Sequence, residues 1–283
     1  MDQFNIVIDW DQARLIAMVY ALQFAAFTIV ALFARGMDAI RWTPELVRSA
    51  RVNWAFFALN SLIAPLAFMA VYAINSGFEA TGIPTVPESF WGFAPAIVPA
   101  LVAVLVADFA DYWSHRLRHV SVLWPMHAVH HSDTDLNYMS WYRAHIIELI
   151  VINAGYVVLA TWLGADPASV AAVVAVRAIH QQYVHMNVDW THGPLKYVIA
   201  SPRFHRWHHA DVPEAWDKNF SNIMPLWDKL FGTYYCPGKC DVPLGFEGSP
   251  GQSVLGLLVF PFKAWGQMLG KVIKQTDPVR AAR

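Results

Sequence analysis

Charge is scarce in this chain. Of 283 residues only 14% are charged, and the net charge is −1; soluble domains carry about 25% charged residues. With no basic excess, nucleic acid is excluded as a partner. Cysteine is almost absent. The two present, Cys236 and Cys240 in "CPGKC", are too few for an iron–sulfur cluster and read as free thiols on a reducing face or as part of an incidental turn. H-E-x-x-H and G-x-S-x-G are also missing, and with them two common hydrolase signatures.

Apolar residues take the place of charge: 56% of the chain is hydrophobic and 14% aromatic, with 13 Trp. Run length separates a large soluble core from a membrane protein, because a bilayer-spanning helix needs about 20 mostly apolar residues. Residues 15–34 qualify, with Gln23 the only strongly polar side chain. Residues 52–74 qualify, with a kink expected at Pro65. Residues 90–107 qualify marginally. Residues 146–165 and 168–179 read as a tight hairpin around "GADP", either spanning or re-entrant. The expected fold is therefore all-α: a polytopic membrane protein with four or five embedded helices. The first run is not expected to be a signal peptide, because its flank is acidic and its apolar stretch is too long.

The loops supply an orientation. Asp2, Asp9 and Asp11 lie before the first run, and Arg35, Arg41, Arg48 and Arg51 follow it. Residues 75–89 hold Glu79 and Glu88 and no basic residue; 114–145 hold Arg116, Arg118 and Arg143. The 164–167 turn has only Asp166, and the tail from 186 is basic, with Lys196, Arg203, Arg206, Lys218 and Lys229 among others. Under the positive-inside rule these alternate, with 35–51, 114–145 and the tail cytoplasmic, and five crossings satisfy the pattern.

All twelve histidines fall between 115 and 209. Two segments share one spacing, H-x-x-H-H: His127, His130 and His131, then His205, His208 and His209. His115 and His119 stand at i, i+4. On a helix, positions i, i+3 and i+4 share a face. Pro125 and Pro202 fit first helical positions and Ser201 an N-cap. The charge pattern puts all three segments on the cytoplasmic side, so they can meet in one helical cap. A structural zinc uses four ligands and a catalytic zinc three; eight or more imidazoles point to two metals. Ligand type alone does not name them, since imidazole suits Fe, Zn, Cu and Ni. The third run is expected to continue as a helix through "DFADYWSHRLRH", placing Asp108, Asp111, His115 and His119 on one stripe, where the aspartates could orient imidazoles or merely sit as surface charge.

With these motifs quoted, a resemblance emerges. "DYWSHRLRH", "LWPMHAVHHSDTDLN", "SPRFHRWHHA" and "KNFSNIMPLWDKLFGTYY" resemble blocks of the fatty acid hydroxylase / sterol desaturase superfamily, over roughly 105–236. The resemblance implies a catalytic core of two iron ions held by histidines, with O2 as cosubstrate, hydroxylating or desaturating an unactivated C–H bond of a membrane lipid. It also implies an integral membrane location, the bacterial inner membrane by likeness to the short bacterial members, with the site on the cytoplasmic face. It adds His145 and His185 as metal ligands, giving ten with the eight motif histidines. Other members often carry a histidine four residues before His185, where this chain has Gln181, able to hold a water or bond a ligand. His180, five residues from His185, points about 140° away on a straight helix and fits the core or a supporting position. His192 precedes "GP" in an exposed turn. Each O2 turnover needs two electrons, and the chain shows no G-x-G-x-x-G, no ferredoxin cysteine pattern and no fused cytochrome b5 motif. NAD(P)H electrons should therefore arrive through a separate reductase with a ferredoxin or cytochrome b5-like carrier. Residues 250–275, with Pro261, Lys263, Lys271 and Lys274 among apolar and aromatic residues, read as an interfacial amphipathic helix. The alternatives are a histidine-rich metal transporter, which would place its ligands within spans, and a zinc-dependent membrane hydrolase or isomerase.

Overall fold

A computed structural model describes residues 10–41, 43–93, 95, 97–165 and 167–276. The acidic residues Asp2 and Asp9, and Asp166 of the hairpin turn, lie outside the described residues. The fold is all-helical. Among the described residues there is no strand, only one isolated antiparallel bridge between Ala210 and Leu244. The chain divides into two units, 1–42 and 43–283.

The first unit holds α1, Trp10–Arg35, and a 3-10 turn, Gly36–Ile40. The second begins with α2, Pro44–Ala80, capped by the Thr43 hydroxyl, which accepts from Leu46 N–H at 3.1 Å. Both contain helix long and apolar enough to cross a membrane, Arg14–Ile40 and Pro44–Ala80. At 1.5 Å per residue α2 is about 55 Å long, well beyond a hydrocarbon core of about 30 Å, and its faces differ accordingly. Near its start Ser49, Val52, Asn53 and Phe56 are buried. Further on, Leu62, Phe68 and Tyr72 are 70% exposed or more, an apolar surface of the kind that lipid covers. The helix runs through Pro65.

The expected third run is not one helix. Residues Glu88–Phe93 form a 3-10 turn, and α3 starts only at Ile97 and runs to Arg118. Pro95 precedes it and Pro99 sits in its first turn, where the missing N–H costs no helical hydrogen bond. Then come α4 (Trp124–His131), α5 (Ile146–Trp162), α6 (Pro167–Val184), α7 (Pro202–His208), α8 (Leu226–Leu230) and α9 (Val254–Thr276). α5 and α6 form the expected hairpin, turning where Gly164 takes a φ of 60°.

Hydrogen bonds give the second unit two ends. Val86 N–H reaches Trp162 O at 2.8 Å and the Trp91 indole reaches Leu163 O at 2.8 Å, joining the segment after α2 to the α5–α6 turn. α2 runs alongside α5 in the same direction: Asn60 bonds Ala144 O at 3.0 Å near the start of α5, and Asn75 accepts from Thr161 at 2.9 Å near its end. The histidines of α3 and α6 lie toward the other end, with α4 and α7.

That end is fastened to α2 by a buried polar cluster. Asp133 accepts from Ser49 Oγ (2.6 Å), Asn53 Nδ2 (3.1 Å) and Ser140 Oγ (2.7 Å). Arg143, fully buried, pairs with Asp133 at 3.4 Å and donates to Asn53 Oδ1 at 2.7 Å and Ser49 O at 3.1 Å. Val52 and Phe56 of α2 pack there with Val129 of α4 and Leu257 of α9. Removing one partner of a buried ion pair strands the other, at a cost of about 3–5 kcal/mol. Arg143→Ala should therefore lower unfolding stability in detergent by about that amount, measured by thermal or denaturant melting. An Arg143→Leu/Asp133→Leu double variant should recover part of the loss.

Candidate metal centre

Nine histidines converge in two groups. His115, His119, His127, His131 and His208 form one; His130, His185, His205 and His209 form the other. Within each group the candidate ligand atoms all lie within 4.8 Å of one another. The repeated H-x-x-H-H is thereby explained. In α4 the i, i+4 pair His127 and His131 serves the first group, while His130 crosses to the second. In α7 and the residue after it, His205 and His209 serve the second group, while His208 crosses to the first. Each motif ties the two groups together.

Backbone carbonyls set the imidazole tautomers. His115 Nδ1 lies 2.7 Å from Phe220 O, His208 Nδ1 2.7 Å from Lys218 O, and His185 Nδ1 2.6 Å from Gln181 O. A carbonyl only accepts, so each Nδ1 carries the proton and each Nε2 is a bare lone pair. His127 Nδ1 faces Glu148 Oε1 at 2.6 Å, and Arg118 donates to the same oxygen at 2.6 Å. Yet Nε2 of His115 and Nε2 of His127 stand 3.0 Å apart. No proton is left to join them, and two lone pairs at that distance repel. In the second group His185 Nε2 stands 3.0 Å from both His130 Nε2 and His205 Nε2. Nε2 of His119 and of His208 are buried with no hydrogen-bond partner.

A cation resolves this arrangement. A transition metal holds imidazole nitrogens at about 2.1 Å, which sets neighbouring ligand nitrogens roughly 3.0 Å apart at right angles and about 3.4 Å apart in a tetrahedron. The observed 3.0 to 3.2 Å separations are short enough for one ion to be shared by neighbouring rings. Electrostatics agree. Burial, followed by the proximity of other imidazoles and, for His115, His127, His130 and His208, of Arg118, drives His115, His127, His130, His131, His205, His208 and His209 well below the ordinary histidine value. Burial takes His185 down to about 4. Neutral imidazole is the form that binds metal.

The structure gathers the eight motif histidines and His185 and leaves other expected residues outside. His145 caps α5: its Nδ1 accepts from Ile147 N–H at 3.3 Å, and its Nε2 faces Leu258 O of α9 at 3.2 Å. Both ring nitrogens are engaged, so the arrangement holds nine histidines rather than ten. His180 belongs to neither group. His192 bonds the Tyr183 hydroxyl at 2.7 Å. The two aspartates of the α3 stripe touch no histidine. Asp108 accepts from Ile223 N–H, Met224 N–H and the Trp227 indole at 2.9 to 3.0 Å, and Asp111 pairs with Arg177 at 2.7 Å. Gln181 acts through its backbone: its carbonyl receives His185, while its side-chain nitrogen is buried and unpartnered.

The groups that do hold the imidazoles were less visible in sequence. Asp217 bonds His119 Nδ1 at 3.2 Å. The carbonyls of Lys218 and Phe220 flank Asn219. Asp217 and Asn219 have φ of 56° and 59°, left-handed conformations that Asp and Asn tolerate best among non-glycine residues. Asp228 fastens this turn by accepting from Phe220 N–H, Ser221 N–H and Thr233 Oγ1. Glu148, three residues after His145, is the carboxylate behind His127.

Two tests follow. Metal-free protein titrated with Co2+ should bind two equivalents. His208→Ala should lose one site and keep the other, whereas His145→Ala should keep both. Metal-free protein should also be acid-sensitive. Folded pKa values lie below the ordinary 6.5, so below that pH the unfolded chain takes up protons that the folded one refuses. Stability should be flat above about pH 6.5 and fall between about 6.5 and 4, by about 1.4 kcal/mol per pH unit for each neutral histidine. A melting temperature unchanged from pH 7 to 5 would contradict it.

Comparison with known proteins agrees with this geometry. The fatty acid hydroxylase family profile matches residues 100–233, the segment holding all nine converging histidines. An ornithine lipid hydroxylase of Rhizobium tropici is 33% identical over 64% of this chain and 56% of its own length. Human alkylglycerol monooxygenase is 34% identical over 47% of this chain and 29% of its own. A putative methylsterol monooxygenase of Dictyostelium discoideum is 27% identical over 46% of this chain and 47% of its own. The chain thus spans about half, or less, of these relatives. No solved structure matches it. Residues 100–233, just under half of the chain and the part that carries the metal centre's histidines, thus match the fatty acid hydroxylase family.

Proposed function

We propose that the protein is an O2-dependent lipid hydroxylase whose two histidine groups hold iron. One observation carries the reading: nine histidines, eight of them buried, in two linked groups, with Nε2 atoms 3.0 Å apart within each. Two irons bound there would supply the O2 chemistry that functionalises an unactivated C–H bond. The named relatives act on ornithine lipid, alkylglycerol and methylsterol, so the substrate class proposed is an amphiphilic membrane lipid. Hydroxylation is favoured over desaturation by the same names.

The chain's own residues hold the imidazoles neutral, turn each Nε2 inward and enclose the site. The metal-transporter reading has less support. Eight of the nine histidines lie on or next to the short α4 and α7 or in or just after the last turn of α3, not midway along a long apolar helix. The proposed topology keeps the positive-inside orientation, with the histidines and the 114–145 region on the cytoplasmic face of an inner membrane. α9 would then lie at the interface; its Trp265 indole bonds Val122 O at 2.7 Å. Electrons would come from NAD(P)H through a separate protein.

The test is turnover. Iron-loaded protein in membranes, given NAD(P)H, a reductase and a carrier, should add one oxygen atom to a membrane lipid, detected by mass spectrometry as a gain of about 16 mass units. His130→Ala and His208→Ala should each lower the rate at least 100-fold. Turnover by the isolated chain with NAD(P)H alone, or none with any carrier, would contradict the reading.

A further inference from the structure

Three narrow cavities lie in series between α3, α5 and α6. The outermost is bounded by Ala103, Ala107, Leu159, Leu163 and Val170. It shares Ala107, Tyr156 and Val173 with the middle one. The middle one shares Arg177 with the innermost, which reaches His115, His127, His130 and His205. The innermost cavity therefore touches both histidine groups. Each helix contributes a stripe of residues at turn spacing that ends at the metal centre: Ala103, Ala107, Asp111 and His115 on α3; Leu159, Tyr156, Ile152 and Glu148 on α5; Val170, Val173, Arg177 and Gln181 on α6.

The series has a polarity. Its outer part is almost wholly apolar. Its inner chamber is more polar, lined by histidines, Arg118, Glu148, Gln181 and Asn222, and several of its polar atoms lack partners. Gln181 Nε2, Asn222 Nδ2 and Glu148 Oε2 are buried and make no hydrogen bond, on residues that are 2 to 4% exposed. Buried polar groups are rarely left unpaired without a reason. Between the two parts stands Arg177, paired with Asp111 at 2.7 Å, its guanidinium over Trp141 at 5.1 Å and Tyr156 at 4.8 Å. From Val170 to Gln181 the path covers eleven helical residues, about 16 Å, half of a hydrocarbon core of about 30 Å and so the depth of one leaflet.

We propose that this cleft binds one hydrocarbon chain of the substrate, tail outward. The chain end lies beside Leu163 and Val170, and the polar end of the lipid lies in the chamber, where Gln181 and Asn222 donate to its oxygens. Arg177 is the constriction at the apolar–polar boundary. The consequence is regiochemical: the carbon presented to the metals belongs to the polar end of the lipid, not to the chain terminus. This rests on the lipid hydroxylase reading given above.

Two photoreactive ornithine lipids test it, one with a diazirine at the terminal chain carbon and one with a diazirine beside the amide. Each is added to the metal-loaded full chain in phosphatidylcholine vesicles and the cross-links are mapped by peptide mass spectrometry. The terminal probe should label Leu159, Leu163 or Val170; the amide probe should label Trp141 or Gln181. Ala107→Phe, placed outside the metal centre, should cut terminal-probe labelling at least tenfold while two metals remain bound. A reversed pattern, labelling outside the cleft, no labelling, or labelling unaffected by Ala107→Phe with metals retained would each overturn the proposal. The two readings fail separately. Oxidised lipid with the tail label elsewhere leaves the hydroxylase and removes the tail site; correct labels with no oxidised lipid under reductant and O2 keep the tail site and remove the hydroxylase.

Discussion

Facing lone pairs are the constraint on which this structure turns. Imidazoles pack readily when one nitrogen donates and the next accepts, but here His115, His185 and His208 give their protons outward to carbonyl oxygens, and His127 points its Nδ1 at a carboxylate. What these four rings turn inward are acceptors, and between His115 and His127 there is no proton to accept. Such a core is unfavourable until a cation enters it. Every outward hydrogen bond therefore does two things at once: it fixes a ring's orientation, and it fixes the tautomer that leaves Nε2 free for a metal.

The scarce charges are placed to serve those outward bonds. Asp228 and Asp108 hold the 219–224 turn from two sides, so that Phe220 O stands under His115. Asp133 and Arg143 hold the segment that follows His131 against α2. Arg118 shares Glu148 Oε1 with His127. In a chain with 14% charged residues, several of the buried ones thus act within one or two bonds of an imidazole. A buried ion pair adds little net stability against an apolar replacement. What these pairs contribute is position.

Much of this was legible in sequence, for a definite reason. Metal ligands are few in kind, and helical periodicity brings i, i+3 and i+4 together, so the two H-x-x-H-H segments declared a shared site before any fold was known. Their exchange of one histidine each was not legible, because it depends on how α4 and α7 cross. The α3 stripe misled in an instructive way. Asp111 and Asp108 lie one and two turns from His115, and local spacing paired them with it. Their partners instead come from residues 223–227 and from Arg177, far along the chain. Long-range hydrogen bonds leave no periodic trace. His145 was assigned by resemblance alone, and the cap that engages it is a local feature of α5 together with a contact from α9. The marginal third run is interrupted before α3, where Pro95 lies between the 3-10 turn and the helix and Pro99 falls in the helix's first turn.

The first histidine group is reached from two directions, and one of the two cavities also touches the second. His119, His131 and His208 line an open cavity of about 380 Å3, with Trp124, Trp216 and Asp217 on its walls. His115 and His127 face the chamber between α3, α5 and α6, together with His130 and His205 of the second group. The cap-side cavity is wide and carries carboxylates; the helix-side path is narrow and apolar. A single opening would have to admit both a hydrocarbon chain and hydrated species, and whatever excluded water from the chain's path would also block protons. Separate openings remove that conflict. On the lipid hydroxylase reading proposed above, water and protons would approach the first group through the cap, while the reacting C–H bond would stay in the helix-side chamber, touched by both groups but bordered on its far side by apolar helix.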